Sequence, residues 1–174
     1  LLDELQSDWG SEFGGKYKTA PLATRISALP EDKTMEAFTA QQTIKLIREQ
    51  KKRDKPFFCW SSFYRPHQPY NALKRYLDMY DYSAWGSGTA KGSGIKKPPS
   101  MNQPAETLPP ALQAWRHGKN KVWCLDKAFS NEQLFRFYIA SYYALVTEID
   151  HHVGMIVKAL EEEGLLENTI IAYS

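Results

Sequence analysis

Residues 34–63, TMEAFTAQQTIKLIREQKKRDKPFFCWSSF, hold the pattern that decides the fold. In the first half Met35, Phe38, Ile44, Leu46 and Ile47 recur at roughly helical spacing among Glu, Gln, Lys and Arg, which predicts an amphipathic helix of about four turns. Lys51, Lys52, Arg53 and Lys55 place cations at its C-terminal end, where they complement the helix dipole, and Pro56 stops it. The second half, PFFCWSSF, is short, uncharged and aromatic, the composition of a strand buried on both faces. A helix leading into a fully buried strand is the rhythm of an α/β protein with a mainly parallel sheet flanked by helices.

The same unit recurs at the other end of the chain. Ser130 and Gln133 have the spacing of a capping box, and they open the longest periodic pattern in the sequence. Leu134, Phe137, Tyr138, Tyr142, Leu145, Ile149, Val153, Ile156, Val157 and Leu160 form one apolar face over some eight turns. Gly164 then supplies the left-handed residue that ends helices, and NTIIAYS reads as a second buried strand. Between the two units, ALKRYLDMYD predicts about two helical turns and ALQAWRHG a short helix. Residues 86–110, with four glycines and five prolines, read as a loop without regular structure, and residues 1–30 as loop with room for one short strand.

Length and composition set the bounds. At 174 residues, with 43% hydrophobic and 24% charged, the chain has the make-up of an ordinary globular domain. A net charge of +2 gives no field that points to nucleic acid as a partner, and no apolar run approaches the roughly 20 residues of a membrane span. Cys59 and Cys124 permit one disulfide at most and leave the redox compartment open. The chain opens without Met and stops inside a strand-like run, as an internal segment of a longer protein does.

The candidates for chemistry are few. Cys59 sits in an aromatic, uncharged run, where a thiol behaves as a small hydrophobe. Cys124 lies near Lys121 and Lys127 with no catalytic partner beside it. His151 and His152 are adjacent and diverge on a helix, Glu148 and His152 have the spacing of a surface pair, Asp150 suits a buried helix carboxylate, and His117 reads as a helix end. His67 stands apart because it follows the strand-like run by four residues, at the carboxyl end where open α/β sheets bind ligands. Pro66 and Pro69 stiffen the turn around it, and a cationic donor so placed suits an anionic oxygen; the rival reading is a turn histidine bonded to backbone.

Taken together, KPFFCWSSFYRPHQPY (55–70) and SYYALVTEIDHHVGMIVKALEEEGLLENTIIAYS (141–174) resemble the central part of type I sulfatases, in the alkaline phosphatase-like superfamily. The resemblance covers roughly residues 34–81 and 105–174 and implies one segment of a single catalytic domain, with the Gly/Pro-rich stretch at about 86–110 as an insert. It implies a hydrolase of sulfate esters, on small molecules or carbohydrates, with a formylglycine nucleophile and a divalent cation, calcium. Residue by residue it carries over His67, as the catalytic and substrate-binding histidine that bonds the sulfate group, and Arg65 as a neighbour lining the substrate pocket. No metal ligand carries over. Neither cysteine fits the formylglycine motif Cys/Ser-x-Pro-x-Arg: Ser61 and Phe63 follow Cys59 where Pro and Arg belong, and Asp126 and Ala128 follow Cys124. The nucleophile and the metal ligands are therefore expected outside these residues, and the isolated segment is expected to be inactive. A phosphonate monoester or phosphodiester hydrolase of the same superfamily, and a non-catalytic carbohydrate- or protein-binding relative, are the alternatives.

Overall fold

The computed structural model of the protein describes residues 24–53, 55–88, 94–116 and 132–174. Thr34 has extended backbone and its Oγ1 accepts from the Ala37 amide at 3.1 Å, satisfying one of the N–H groups that a helix leaves unpaired at its start. The helix it opens, α1 (Met35–Lys51), is the amphipathic helix that the periodicity predicts, with Glu36, Ala37, Ala40, Thr43 and Ile47 on its buried face. Before it lies β1 (Thr24–Ser27), and beyond the His67 turn lies β2 (Tyr70–Leu73). The two strands pair in parallel, Thr24 opposite Tyr70 and Ser27 opposite Leu73. Parallel neighbours need a long crossover, and the chain containing α1 supplies it.

A single turn, α2 (Lys74–Leu77), follows β2 directly. Two further strands, β3 (Trp85–Gly86) and β4 (Ile95–Lys96), form a second parallel pair, and α3 (Pro110–Arg116) precedes the dominant element, α4 (Glu132–Glu162). At 31 residues α4 spans about 46 Å at the usual rise per residue. Its stop is the one expected: Gly164 has φ of +67°, and the Leu165 N–H reaches back to the Leu160 carbonyl at 2.8 Å. No described helix is long and apolar enough to cross a membrane.

The core forms where α4 crosses β2 and α2. Ala140, Ala144 and Leu145 of α4 are fully buried against Ala72, Leu73, Tyr76, Leu77 and Ile95. The small side chains at 140, 141 and 144 let the strand and the short helix approach the α4 backbone closely. Farther along, α1 packs beside the C-terminal half of α4. Glu36 lies near Glu148 and Lys51 near Glu163, so the two helices run in the same direction.

Four expectations are corrected by the structure. PFFCWSSF and NTIIAYS carry no strand pairing among the described residues, Asn168 closing a 3₁₀ turn, and Phe58, Trp60 and Ile170 are 87%, 83% and 98% exposed rather than buried. Two-sided burial needs neighbours on both edges and layers on both faces, and the described residues provide two two-stranded sheets that exclude these segments. Residues 86–110 do form regular pieces, β4 and the 3₁₀ turns Pro99–Asn102 and Ala105–Thr107, because proline fixes the backbone angle such turns use. ALKRYLDMYD yields one helical turn instead of two, its first residues being taken into β2. The basic end of α1 lies at the helix C-terminus as expected, with Lys51 in its last turn; Lys51 also donates to the Glu163 carbonyl and pairs with its carboxylate at 3.2 Å, as does Arg48 at 3.2 Å. The readings made for residues 1–23, His117, Cys124 and the Ser130 cap lie outside the described residues.

Because Ala144 is fully buried where α4 meets β2, Ala144→Leu should overfill the contact and destabilise the fold by about 1–3 kcal/mol. Chemical denaturation of the variant reads this directly, and an unchanged midpoint would show that the contact has slack.

Candidate functional site

Residues 64–71 carry the chain from the extended segment into β2. The segment is tied to α1 by Thr43 Oγ1 and Ser61 Oγ at 2.9 Å. The His67 amide donates to the Tyr64 carbonyl at 3.4 Å and the Asn71 amide to the Pro69 carbonyl at 3.1 Å, so the turn closes on itself at both ends. Both X–Pro bonds, Arg65–Pro66 and Gln68–Pro69, are cis. His67 is exposed at the apex.

The surroundings of the imidazole assign roles to its nitrogens. Nδ1 lies 2.7 Å from the Gln68 carbonyl and 3.1 Å from the Tyr64 hydroxyl, and the Tyr64 ring stands 5.0 Å away, tilted by 43°. A carbonyl oxygen only accepts, so Nδ1 carries a hydrogen and donates to it. Nε2 is then the nitrogen offered to an incoming group. A sulfate or phosphate oxygen also only accepts, so the form that binds such an anion is the imidazolium, with Nε2–H as donor.

Arg65, two residues earlier, turns the other way. Its side chain is 7% exposed; Nε lies 3.6 Å from Glu36 Oε1, and a terminal nitrogen donates to the backbone carbonyl of Asn71. The guanidinium thus joins the start of the turn to its end and both to the first turn of α1.

Behind Arg65 stands Glu148 of α4, 1% exposed, as is Glu36. Burial, and next the charge of Glu36, push the Glu148 carboxyl up to about 7, against the opposing pull of Arg65 and a hydrogen bond from Thr34. Among the described residues Glu148 Oε1, both ends of the Asn71 side-chain amide and both ring nitrogens of His152 have no hydrogen-bond partner. Burial, with the charge of His151 beside it, holds His152 below the usual histidine range. The surface pair expected of Glu148 and His152 is therefore corrected: both are buried, while Asp150, read as a buried carboxylate, is exposed. Helical stagger explains it, since 148 and 152 continue the buried stripe of 141, 145 and 149. Glu36 and Asn71 were not singled out by sequence reasoning, and Glu148 was read as a surface group; its overlap with that stripe was the available signal.

Two further groups bear on the chemistry. Cys59 is a half-buried free thiol. Among the described residues no group of three or more His, Cys, Asp or Glu side chains is placed to hold a metal ion. They do not form a calcium site by themselves.

The raised Glu148 pKa makes stability fall with pH. The neutral acid is favoured in the fold, so its contribution is fully present below the unfolded value of 4.5 and is lost as pH climbs to about 7. Glu148→Gln, which keeps the shape and removes the ionisation, should be near neutral at pH 4.5 and stabilising by ~3 kcal/mol at pH 8. Denaturation of both proteins at the two pH values checks this; equal offsets would mean that Glu148 titrates normally.

Comparison with known proteins bears on the whole chain. Residues 6–174 match the sulfatase family. The chain is 31% identical over 126 residues to an arylsulfatase of Clostridium perfringens, covering 68% of this chain and 21% of that protein. It is 24% identical over 155 residues to the iduronate 2-sulfatase of Mus musculus, covering 86% and 26%. A multifunctional alkaline phosphatase superfamily protein of Trinickia caryophylli aligns at 25% identity with the full length of the chain and 32% of its own. The chain thus spans between a fifth and a third of the length of these relatives. A turn that presents one histidine from a buried ionic base, set between a crossover helix and the long α4, is found here in a chain that belongs to the sulfatase family, whose fold is the α/β alkaline phosphatase-like one.

Proposed function

We propose that the full-length protein hydrolyses sulfate esters and that His67 binds the sulfate group during that reaction. The observation that supports this most is the commitment of Nδ1–H to the Gln68 carbonyl, which leaves Nε2 for the substrate at the apex of the turn, a donor when the ring is the imidazolium. An N–H held in place before the substrate arrives needs no reorganisation when charge builds on the ester oxygens, and such donors supply a large part of many rate enhancements. In this reading Arg65 contributes to substrate binding through the turn it anchors. The formylglycine nucleophile and the ligands of a divalent cation, calcium, are assigned to parts of the protein outside these 174 residues, since Cys59 is followed by Ser61 and Phe63 instead of Pro and Arg. The cation would supply Lewis-acid stabilisation of the transferred oxygens. The mainly parallel sheet flanked by helices is likewise proposed for the whole domain, with Phe58, Trp60 and Ile170 facing its remaining strands.

A second reading replaces sulfate with a phosphonate or phosphate ester. The relative described as a multifunctional alkaline phosphatase superfamily protein favours keeping it in view, because a lone imidazolium discriminates poorly between two tetrahedral anions.

In the full-length protein, His67→Ala should lower kcat/KM for an aryl sulfate by roughly 10²-fold, the usual loss on removing one preorganised donor. Unchanged kinetics in a folded variant would reduce His67 to a turn residue. Paired assays with matched sulfate and phosphonate esters separate the two readings, and the segment 1–174 alone should turn over neither.

A further inference from the structure

We infer that Arg65 is a positioning residue for His67: its guanidinium, held by Glu36, locks the turn that aims the imidazole at the ester. This inference rests on the reading of His67 as the sulfate-binding group. Three observations carry it. First, the Arg65 side chain spans the turn, leaving the chain at residue 65 and donating to the carbonyl of Asn71, so both ends of the His67 turn are fixed to one planar group. Second, the far side of that group lies against Glu36 at 3.6 Å, in the first turn of α1, next to the Thr34 cap; Glu148 of α4 approaches from behind and is hydrogen-bonded by Thr34. The turn is thereby referenced to two helices instead of floating on a loop. Third, the arrangement is a poor choice for stability alone. Taking an arginine and a glutamate out of water costs about as much as their attraction returns, and apolar residues of the same size would serve the core as well or better.

What apolar residues cannot do is aim a backbone. A guanidinium has five donors in a rigid plane, which can hold a carboxylate and a carbonyl in a set geometry at once, whereas an ammonium acts as a point charge on a flexible stem. His67 needs that precision, because a reacting group displaced by about 1 Å can lose on the order of 10² in rate. The chain places the exposed imidazole two residues from the buried anchor, with Pro66 between them.

The test uses the full-length enzyme and two variants. Arg65→Lys keeps the charge and loses the fork. Glu36→Gln combined with Arg65→Met removes both charges at similar volume, which guards against a folding failure caused by a lone buried carboxylate; if either variant does not fold, the other decides. Each is measured for thermal midpoint, for amide hydrogen exchange in the peptide 64–72, for kcat and KM on an aryl sulfate, and again in a His67→Ala background. Positioning predicts a midpoint within a few degrees of the parent, exchange across 64–72 faster by tenfold or more with α1 and α4 unchanged, and kcat/KM down roughly 10- to 100-fold, chiefly in kcat. It also predicts that adding His67→Ala costs little more, since both changes remove the same interaction. Unchanged exchange and kinetics, or a loss fully additive with that of His67→Ala, overturns the inference. If His67→Ala alone leaves turnover intact, the reading of His67 fails instead, and exchange alone decides whether Arg65 braces the turn.

Discussion

The contact between the Arg65 guanidinium, the Glu36 carboxylate and the Asn71 carbonyl is the constraint around which the rest is arranged. It joins three elements: the segment before the turn, the start of α1 and β2. Glu148 completes it from α4, and the charge count is informative. One arginine facing two ionised carboxylates would leave a net negative charge in a buried place, and the structure resolves this by raising Glu148 to about 7, so that around neutral pH and below it the carboxyl holds a proton. The cluster is then balanced, with the proton doing what a second cation would otherwise have to do.

This balance divides α4 into two halves with different physics. Its N-terminal half is aromatic: Tyr70 packs edge-on against Tyr138 at 4.7 Å and Tyr142 at 5.6 Å, and Tyr80 reaches Thr147 through its hydroxyl at 2.5 Å. Burial raises the pKa of Tyr138, and burial also raises that of Tyr70, to which it is hydrogen-bonded. The C-terminal half is ionic at both ends, with the Glu36 cluster at Glu148 and the Arg48 and Lys51 pairs at Glu162 and Glu163. Those outer pairs are exposed and contribute little each, so the register of α1 on α4 rests mainly on Ala37, Ala40 and Ile47 inside and on the buried cluster at one end.

The helices were legible in the sequence because their periodicity is local. Thr34 and Gly164 announce where α1 begins and α4 ends, and the structure puts both in those roles. β2 was not legible: Tyr-Asn-Ala-Leu is a strand only because Thr24–Ser27 lies beside it, a partner 46 residues away that no local pattern encodes. PFFCWSSF and NTIIAYS show the converse failure. Their composition suits burial on two faces, yet burial is a property of neighbours, and the described neighbours cover one side at most. Phe57, Cys59, Ser61 and Phe63 are half-buried while Phe58, Trp60, Ser62 and Tyr64 are exposed, the alternation of an extended chain with a single covered face.

The same distinction governs the site. His67 could be found by position, since a proline-flanked histidine after a strand-like run points to a ligand-binding exit loop without any knowledge of the core. Its support could not. Glu36, Glu148 and Arg65 look like ordinary surface charges because charged residues almost always are, and their burial depends on three elements meeting at one point. The one local clue is phase: 141, 145, 148, 149 and 152 share a stripe of α4, so a glutamate and a histidine fall where apolar residues are expected. A polar residue that keeps the phase of a buried face should be read as buried and partnered before it is read as solvated. Applied to Glu148, that rule would have led from α4 to Arg65 and from there to the turn that holds His67.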